Sequence, residues 1–175
     1  MKINILGQGR HGKDTVAEYL YENYAMYFSS SSLAAAKIFI YDRLKKEKGY
    51  ISFQECYDDR HSGDNRALWY DLITEYNKYD PARLAKDILQ ENDIYVGMRS
   101  KRELDACKEL GLFDLHLGVY RPDAPKESKK SMDIDIFTEA DIILINNGTL
   151  EDLYRKIDLL VEGWYIQRTS FGNQS

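Results

Sequence analysis

A glycine-rich loop near the start of the chain limits the possible folds more than any other feature. Residues 7–14 read G-Q-G-R-H-G-K-D and contain the spacing G-x-x-x-x-G-K of a Walker A phosphate-binding loop. The loop follows an apolar run at 2–6 and precedes apolar residues at helical spacing. A strand, a glycine loop and a helix in this order predict a phosphate site at the carboxyl edge of a parallel sheet.

Each part of this loop has a predicted role in binding phosphate. Gly7 and Gly12 allow the backbone to curl so that successive N–H groups converge on an anion. The start of the following helix adds the positive end of its dipole. Lys13 supplies a mobile positive charge for the terminal phosphates, and Arg10 is a candidate for a further phosphate contact. We therefore predict ATP as the cofactor.

The position after Lys13 departs from the usual pattern. Asp14 stands where a serine or threonine usually holds Mg²⁺, and Thr15 follows it. Either Asp14 faces the metal, directly or through water, or Thr15 replaces the usual hydroxyl. Alternatively, Asp14 caps the start of the helix. Mg²⁺ is the expected metal under both of the first two interpretations.

Composition excludes several other classes of protein. The chain has 175 residues, a length typical of one domain, and no apolar run approaches the ~18 residues of a membrane span. Its start reads as a strand rather than a signal peptide, and two cysteines without CxxC spacing predict neither a disulfide framework nor a zinc site. A net charge of −5 argues against a broad face for nucleic acid. We expect a cytoplasmic protein with no membrane partner; its oligomeric state stays open, with a homodimer among the options.

Short strands alternate with helices along the chain. This order predicts an α/β fold in which a parallel sheet of about five strands carries helices on both faces. We expect one domain over 1–175, with an irregular stretch at 49–64 and a frayed tail after Ile166. The predicted strands are 2–6, 27–28, 94–98, 115–120 and 141–146, and the predicted helices are 13–24, 33–48, 66–79, 81–90, 100–110 and 149–162.

Three segments share a likeness with one family. They read G-Q-G-R-H-G-K-D-T at 7–15, Y-V-G-M-R-S-K-R-E-L at 95–104 and A-D-I-I-L-I-N-N-G-T-L-E-D-L at 140–153. Together they resemble the P-loop nucleoside monophosphate kinase group, and within it the deoxynucleoside monophosphate kinases of bacteriophages. The resemblance implies a three-layer P-loop kinase fold, and a host-cytoplasmic location if the protein is phage-encoded. It also implies ATP-dependent transfer of a phosphoryl group to a deoxynucleoside monophosphate, giving the diphosphate.

The resemblance also implies roles for residues outside the loop. A helical region at about 34–90 would bind the acceptor, and a lid-like loop at about 121–133 would close over the phosphates. Arg99, just past the strand at 94–98, is expected to hold the acceptor phosphate, although a surface ion pair with Glu103 is an alternative. Asn147 is implied beside the adenine. The basic candidates in the lid-like loop are Arg121, Lys126, Lys129 and Lys130.

A charged cluster at 58–66 leaves the chemistry of the acceptor open. If the acceptor is a monophosphate, Arg60 and Arg66 would hold it by forked contacts near Asp58, and no general base is needed. If it is a hydroxyl of a nucleoside, or of a hydroxymethyl pyrimidine in phage DNA, Asp58 or Asp59 would take its proton. DNA is a partner only under that alternative. Two further interpretations are a structural ion-pair cluster and a non-catalytic nucleotide-binding switch.

Overall fold

A five-stranded parallel sheet forms the centre of the molecule. The computed structural model describes residues 1–125 and 132–171, with side chains up to Trp164. The strand order is β2–β3–β1–β4–β5, and every neighbouring pair is parallel. The predicted α/β sheet is therefore confirmed. Its strands are Ile3–Leu6 (β1), Phe28–Ser30 (β2), Ile94–Val96 (β3), Leu115–Tyr120 (β4) and Ile142–Ile145 (β5).

The position of β1 in the sheet determines where the glycine loop lies. Ile3 pairs with Ile94 of β3 on one side and with Leu115 of β4 on the other. Because β1 is the central strand, the loop that follows it lies at the middle of the carboxyl edge. Ligands of open parallel sheets bind at that edge.

Helices pack on both faces of the sheet. Alternate residues of a strand point to opposite faces, so Ile5 and Val96 belong to one buried cluster and Tyr95 to the other. The first cluster lies under the first and last helices of the chain, and the second lies under the helices between β2 and β3 and under the helix that follows β3. Their ranges are Lys13–Tyr24 (α1), Ser31–Ala35 (α2), Tyr41–Lys48 (α3), Phe53–Asp58 (α4), Asn65–Tyr76 (α5), Arg83–Leu89 (α6), Lys101–Glu109 (α7), Ile136–Glu139 (α8) and Leu150–Phe171 (α9), with a π-helical turn at Ala36–Ile40 and a 3₁₀ turn at Asp59–His61.

The stretch at 49–64 is more regular than predicted. It contains α4 and the 3₁₀ turn that follows it. The Ser52 hydroxyl accepts a hydrogen bond from the amide of Glu55 at 3.1 Å, and the Glu55 carboxylate accepts one from the amide of Ile51 at 2.8 Å. The pattern S-x-x-E is a signature of a helix start, so the sequence contained the signal that predicts this helix.

The last helix begins as predicted and ends later than predicted. The amide of Asp152 donates to the Thr149 hydroxyl at 3.2 Å, and the amide of Thr149 donates to the Asp152 carboxylate at 3.1 Å. The helix then continues past Gly163 to Phe171, well beyond the predicted end at 162. The expected fraying of the tail after Ile166 stays a prediction, and residues 172–175 lie outside the described residues. A single glycine costs a helix only about 1 kcal/mol relative to alanine, which is too little to end it.

The described parts of the lid-like loop are 121–125 and 132–133. Met132 is buried and belongs to the second cluster, as does Ile134 just beyond the loop, so this end of the loop is anchored to the body of the protein. Lys126, Lys129 and Lys130 lie outside the described residues. Within the described chain, no helix is both long enough and apolar enough to cross a membrane.

Candidate functional site

A cavity of about 350 Å³ opens where the glycine loop meets the carboxyl ends of β4 and β5. Three cationic residues line it, Arg10 and Lys13 from the glycine loop and Arg121 from the segment after β4. This concentration of positive charge at the sheet edge favours an anionic ligand, although the chain as a whole is acidic. The residues that line the cavity are Arg10, Gly12, Lys13, Asp14, Thr15, Arg121, Asn146, Gly148, Leu150 and Leu153.

Lys13 lies against the loop that carries it. Its side chain is 7% exposed, and Nζ donates a hydrogen bond to the carbonyl oxygen of Gln8 at 2.8 Å. A carbonyl partner orients an ammonium group without neutralising its charge. The predicted phosphate-binding lysine is therefore held over the loop and lines the cavity.

The loop is anchored to the two strands beside it. Asn146 Nδ2 donates to the carbonyl oxygen of His11 at 3.1 Å, and the amide of Arg121 donates to His11 Nδ1 at 3.3 Å. The loop approaches these strands closely, because a Cβ built at Gly12 would lie 2.6 Å from Asn146 Nδ2 and one built at Gly7 would lie 2.5 Å from the Val119 carbonyl oxygen. Sequence reasoning missed this anchoring role of Asn146, since the two ends of the contact are 135 residues apart.

The start of α1 is open to a ligand. Gly12 occupies the N-cap position and no side chain caps the helix, so Asp14 is not the cap that one interpretation proposed. Asp14 is exposed in the first turn, and both Asp14 and Thr15 line the cavity. Their oxygen atoms suit Mg²⁺, which binds proteins through one or two oxygen ligands and takes the rest from phosphates and water.

No group of three or more metal-binding side chains occurs within the part of the chain that the structure describes. A magnesium ion at Asp14 and Thr15 would take its other ligands from the phosphates of a nucleotide and from water. This dependence agrees with an ion that enters together with ATP.

Asn147 differs in position from its neighbour Asn146. Its side chain is exposed, and its Oδ1 accepts a hydrogen bond from Lys156 Nζ at 3.2 Å. Lys156 also donates to the carbonyl of Ile145 at 2.7 Å. Asn146 rather than Asn147 thus lines the cavity, and the expected place of Asn147 beside the adenine stays a prediction.

Arg99 lies at the carboxyl edge of β3, as predicted. It is half-buried, and its carbonyl accepts a hydrogen bond from the amide of Asp133 at 3.2 Å. The neighbouring ends of β2 and β3 are joined where the Ser31 hydroxyl donates to the Gly97 carbonyl at 3.2 Å. Arg99 and Ser31 therefore border the edge on the opposite side of β1 from Arg121.

The charged cluster at 58–66 separates into residues with different surroundings. The Asp59 carboxylate accepts hydrogen bonds from the Tyr50 hydroxyl at 2.5 Å and from Asn65 Nδ2 at 2.7 Å. The bond from Tyr50 is the largest of several that lower the pKa of Asp59. A carboxylate stabilised in its charged form is a weak proton acceptor, so these contacts favour a structural role for Asp59. Asp58 is exposed and accepts a bond from Gln54 Nε2 at 2.9 Å.

The two arginines of the cluster also differ. Arg66 is exposed in the first turn of α5. Arg60 is half-buried, and its guanidinium carbon lies 3.7 Å from the ring centroid of Tyr57. Tyr57 in turn brings its hydroxyl 3.5 Å from the Ser32 hydroxyl, directly beyond β2. Arg60 is therefore connected to the sheet edge through Tyr57.

A buried carboxyl group lies beneath this edge and was not singled out from the sequence. Glu103 is 4% exposed in the first turn of α7, and it accepts a hydrogen bond from the Tyr95 hydroxyl at 2.9 Å. Burial raises its pKa to about 7, although the bond from Tyr95 acts in the opposite direction. The alternative interpretation paired Arg99 with Glu103 at the surface. It is wrong about the exposure of Glu103, which is buried.

Because the pKa of Glu103 is raised, we expect the stability of the protein to depend on pH. The pKa of Glu103 is about 7 in the folded protein and about 4.3 in an unfolded chain, so the folded state binds the proton more tightly. The contribution of Glu103 to the free energy of unfolding is fully present below the unfolded pKa and is lost as pH rises through 7. The loss is roughly 3 kcal/mol in total. Urea unfolding of wild type and Glu103→Gln between pH 4.5 and 8 measures it, since the variant lacks this titration.

The matched control is Glu109→Gln, at an exposed position of the same helix. We expect its profile to follow that of the wild type. Parallel profiles for wild type and Glu103→Gln would contradict the assignment of the slope to Glu103.

The sheet order, with a phosphate loop joining its central strand to α1, is typical of P-loop proteins. Among solved structures, the chain is similar to shikimate kinase from Aquifex aeolicus, with a TM-score of 0.55 and 15% identity over 95% of this chain and 99% of that one. It is also similar to a gluconokinase from Sinorhizobium meliloti 1021, with a TM-score of 0.50 and 12% identity over 95% of this chain and 96% of that one. The predicted P-loop kinase fold is therefore confirmed.

These likenesses concern the fold alone. No protein-family model matches the sequence, and no curated protein matches it either. Neither structural neighbour is named as a deoxynucleoside monophosphate kinase. The narrower resemblance to the bacteriophage enzymes therefore stays a prediction.

Proposed function

We propose that this protein is an ATP-dependent kinase that transfers a phosphoryl group to a deoxynucleoside monophosphate. The observation that carries the proposal is the cavity at the sheet edge, where Arg10, Lys13 and Arg121 converge beside the oxygen atoms of Asp14 and Thr15. Phosphoryl transfer needs positioning and charge stabilisation far more than covalent chemistry from the protein. This set of side chains has the composition that such a reaction needs.

On the donor side, the loop amides and Lys13 would bind the β- and γ-phosphates of ATP, and Arg10 and Arg121 would flank them. Asp14 and Thr15 would hold Mg²⁺, which when bound neutralises charge on those phosphates. Transfer breaks the bond between the γ-phosphorus and its bridging oxygen and forms a bond to an oxygen of the acceptor. The electron pair of the broken bond stays on ADP.

The residues beyond β2 and β3, here called the acceptor side, favour a substrate that is already an anion. The segments that follow β2 and β3, residues 31–36 and 97–102, contain no aspartate or glutamate. The carboxyl groups near these segments are engaged: Glu103 is buried and bonded to Tyr95, and Asp59 is bonded to Tyr50 and Asn65. The Asp133 carboxylate accepts a hydrogen bond from the amide of Lys101 at 2.6 Å. An acceptor phosphate needs no general base, whereas a hydroxyl acceptor does. Arginines at this edge, Arg99 and Arg60, suit a phosphate.

One observation keeps a hydroxyl acceptor as the second candidate. Asp58 is exposed and bonded only to the neutral side chain of Gln54 within the described chain, so its carboxylate is available as a base. Under this alternative the substrate would be a nucleoside, a hydroxymethyl pyrimidine in DNA, or a small polyol acid of the kind that names the structural neighbours.

A panel of acceptors with labelled ATP separates these functions. We expect transfer to one or more deoxynucleoside monophosphates, and none to nucleosides, hydroxymethylated DNA, shikimate or gluconate. Asp58→Asn and Asp59→Asn are expected to keep the rate of transfer to monophosphates within a fewfold of wild type, because neither carboxylate acts as a base. Asp59→Asn also lowers stability, since it weakens the acceptor of two hydrogen bonds.

Two other outcomes would contradict the proposed function, and they differ from each other. Transfer to a hydroxyl that Asp58→Asn abolishes would establish the second candidate instead. ATP binding without transfer to any acceptor would favour a nucleotide-binding switch.

A further inference from the structure

Arg60 is held at the acceptor side without being neutralised. Its guanidinium carbon lies 3.7 Å from the ring centroid of Tyr57, and its Nη1 donates to the Tyr57 carbonyl at 2.5 Å. Within the described residues, no carboxylate forms an ion pair with it. A ring face and a carbonyl orient a guanidinium group and leave its net charge in place. Such a cation is prepared to bind an anion.

Tyr57 is itself held by aromatic packing. Its ring lies parallel to that of Phe53 at 5.9 Å between centroids and contacts Trp69 at 6.1 Å. Trp69 is 4% exposed and belongs to the buried cluster on this face of the sheet. The position of the Tyr57 ring is therefore determined by the core rather than by the surface.

The hydroxyl of Tyr57 lies 3.5 Å from that of Ser32, directly beyond the carboxyl end of β2. Open parallel sheets bind their ligands at that edge, so the acceptor substrate is expected there. We propose that Tyr57 is a positioning residue that presents Arg60 to the phosphate of the acceptor nucleotide. This inference rests on the proposed function and adds a specific residue to it.

Arg83 also stacks on a tyrosine ring, but the surroundings of that pair differ. The guanidinium carbon of Arg83 lies 4.0 Å from the ring centroid of Tyr76, and that ring also stacks on Phe39 at 4.3 Å. The Tyr76 hydroxyl, however, donates to the Asp87 carboxylate at 2.7 Å. A carboxylate is thus already present at this arginine–tyrosine pair, so it makes a matched control.

The test compares the acceptor kinetics of tyrosine variants. Tyr57→Leu removes the ring and is expected to raise the KM for the deoxynucleoside monophosphate roughly five- to tenfold, the size of a partly desolvated cation–π contact. The KM for ATP and kcat are expected to change less than twofold. Tyr57→Phe keeps the ring and is expected to keep the acceptor KM within twofold. Tyr76→Leu also removes a stacked ring and is expected to leave the acceptor KM unchanged.

A double-mutant cycle distinguishes positioning from packing. If Tyr57 acts through Arg60, Arg60→Ala alone raises the acceptor KM at least as much as Tyr57→Leu, and adding Tyr57→Leu to Arg60→Ala raises it no further. Additive effects of the two changes would overturn the inference. So would an unchanged acceptor KM in Arg60→Ala, a variant that keeps the inference testable even if Tyr57→Leu does not fold.

Calorimetric titration with each of the four common deoxynucleoside monophosphates separates failure of the inference from failure of the proposed function. If the wild-type protein and Tyr57→Leu bind one of these monophosphates with the same affinity, the role of Tyr57 is overturned and the proposed function is not. Wild type that binds and phosphorylates none of them would overturn both.

Discussion

Lys13→Ala is expected to lower the rate of phosphoryl transfer roughly 10²–10³-fold or more, the size of losing one group that stabilises transition-state charge. Lys13 Nζ lies over the glycine loop through its hydrogen bond to the Gln8 carbonyl, inside the cavity that also contains Arg10 and Arg121. We expect that the neighbouring arginines do not replace it, because Arg10 and Arg121 are exposed whereas Lys13 is buried against the loop. Single-turnover transfer from labelled ATP measures the loss, and circular dichroism checks that the variant is folded.

The matched control is Lys46→Ala, which removes the same side chain from an exposed position of α3. It changes the net charge equally and is expected to keep the wild-type rate. Lys13→Ala with wild-type turnover would refute the assignment of residues 7–14 as the phosphate loop.

Gly12→Ala is expected to reduce the affinity for ATP at least about tenfold. Gly12 has φ of +99°, where an alanine is strained by about 1–2 kcal/mol, and the added Cβ would lie 2.6 Å from Asn146 Nδ2. Asn146 would have to move and lose its hydrogen bond to the His11 carbonyl, which contributes about 1 kcal/mol more. Titration with a non-hydrolysable ATP analogue measures the affinity, and Tm is expected to fall by several degrees.

Gly49→Ala separates backbone strain from the contact with Asn146. Gly49 ends α3 with φ of +75°, and a Cβ built there meets no atom within 4 Å. We expect a lower Tm and an unchanged affinity for ATP. Adding Asn146→Ala to Gly12→Ala should restore part of the affinity by removing the close contact. Wild-type affinity in Gly12→Ala would show that the loop does not need its observed shape.

The elements that the sequence predicted correctly are those specified by neighbouring residues. An apolar run at 2–6, glycines at the loop and helical spacing after Lys13 predicted β1, the loop and α1, all of which the structure contains. The start of α9 was predicted at residue 149, and the hydrogen bonds between Thr149 and Asp152, three residues apart, agree with it. These features depend on backbone preferences that act over one or two turns.

The elements that were missed have other causes. The signal for α4 was present as Ser52 and Glu55 but is weak within a polar stretch. The extension of α9 past Gly163 was missed because a single glycine costs a helix only about 1 kcal/mol relative to alanine, which does not end it. The first error concerns the existence of a short helix and the second concerns the position of a helix end, which is the least certain part of any helix.

The sequence by itself determined the unit of strand, glycine loop and helix over 3–24 and predicted a phosphate site there, because strand, glycine spacing and lysine are local in the chain. The tertiary structure alone decided the surroundings of its charged groups. Asn146 reaches His11 across 135 residues, Arg60 stacks on the ring of Tyr57, and Glu103 is buried against Tyr95. A side chain's partners and burial, and therefore its pKa and its available charge, exist only after distant segments have packed together.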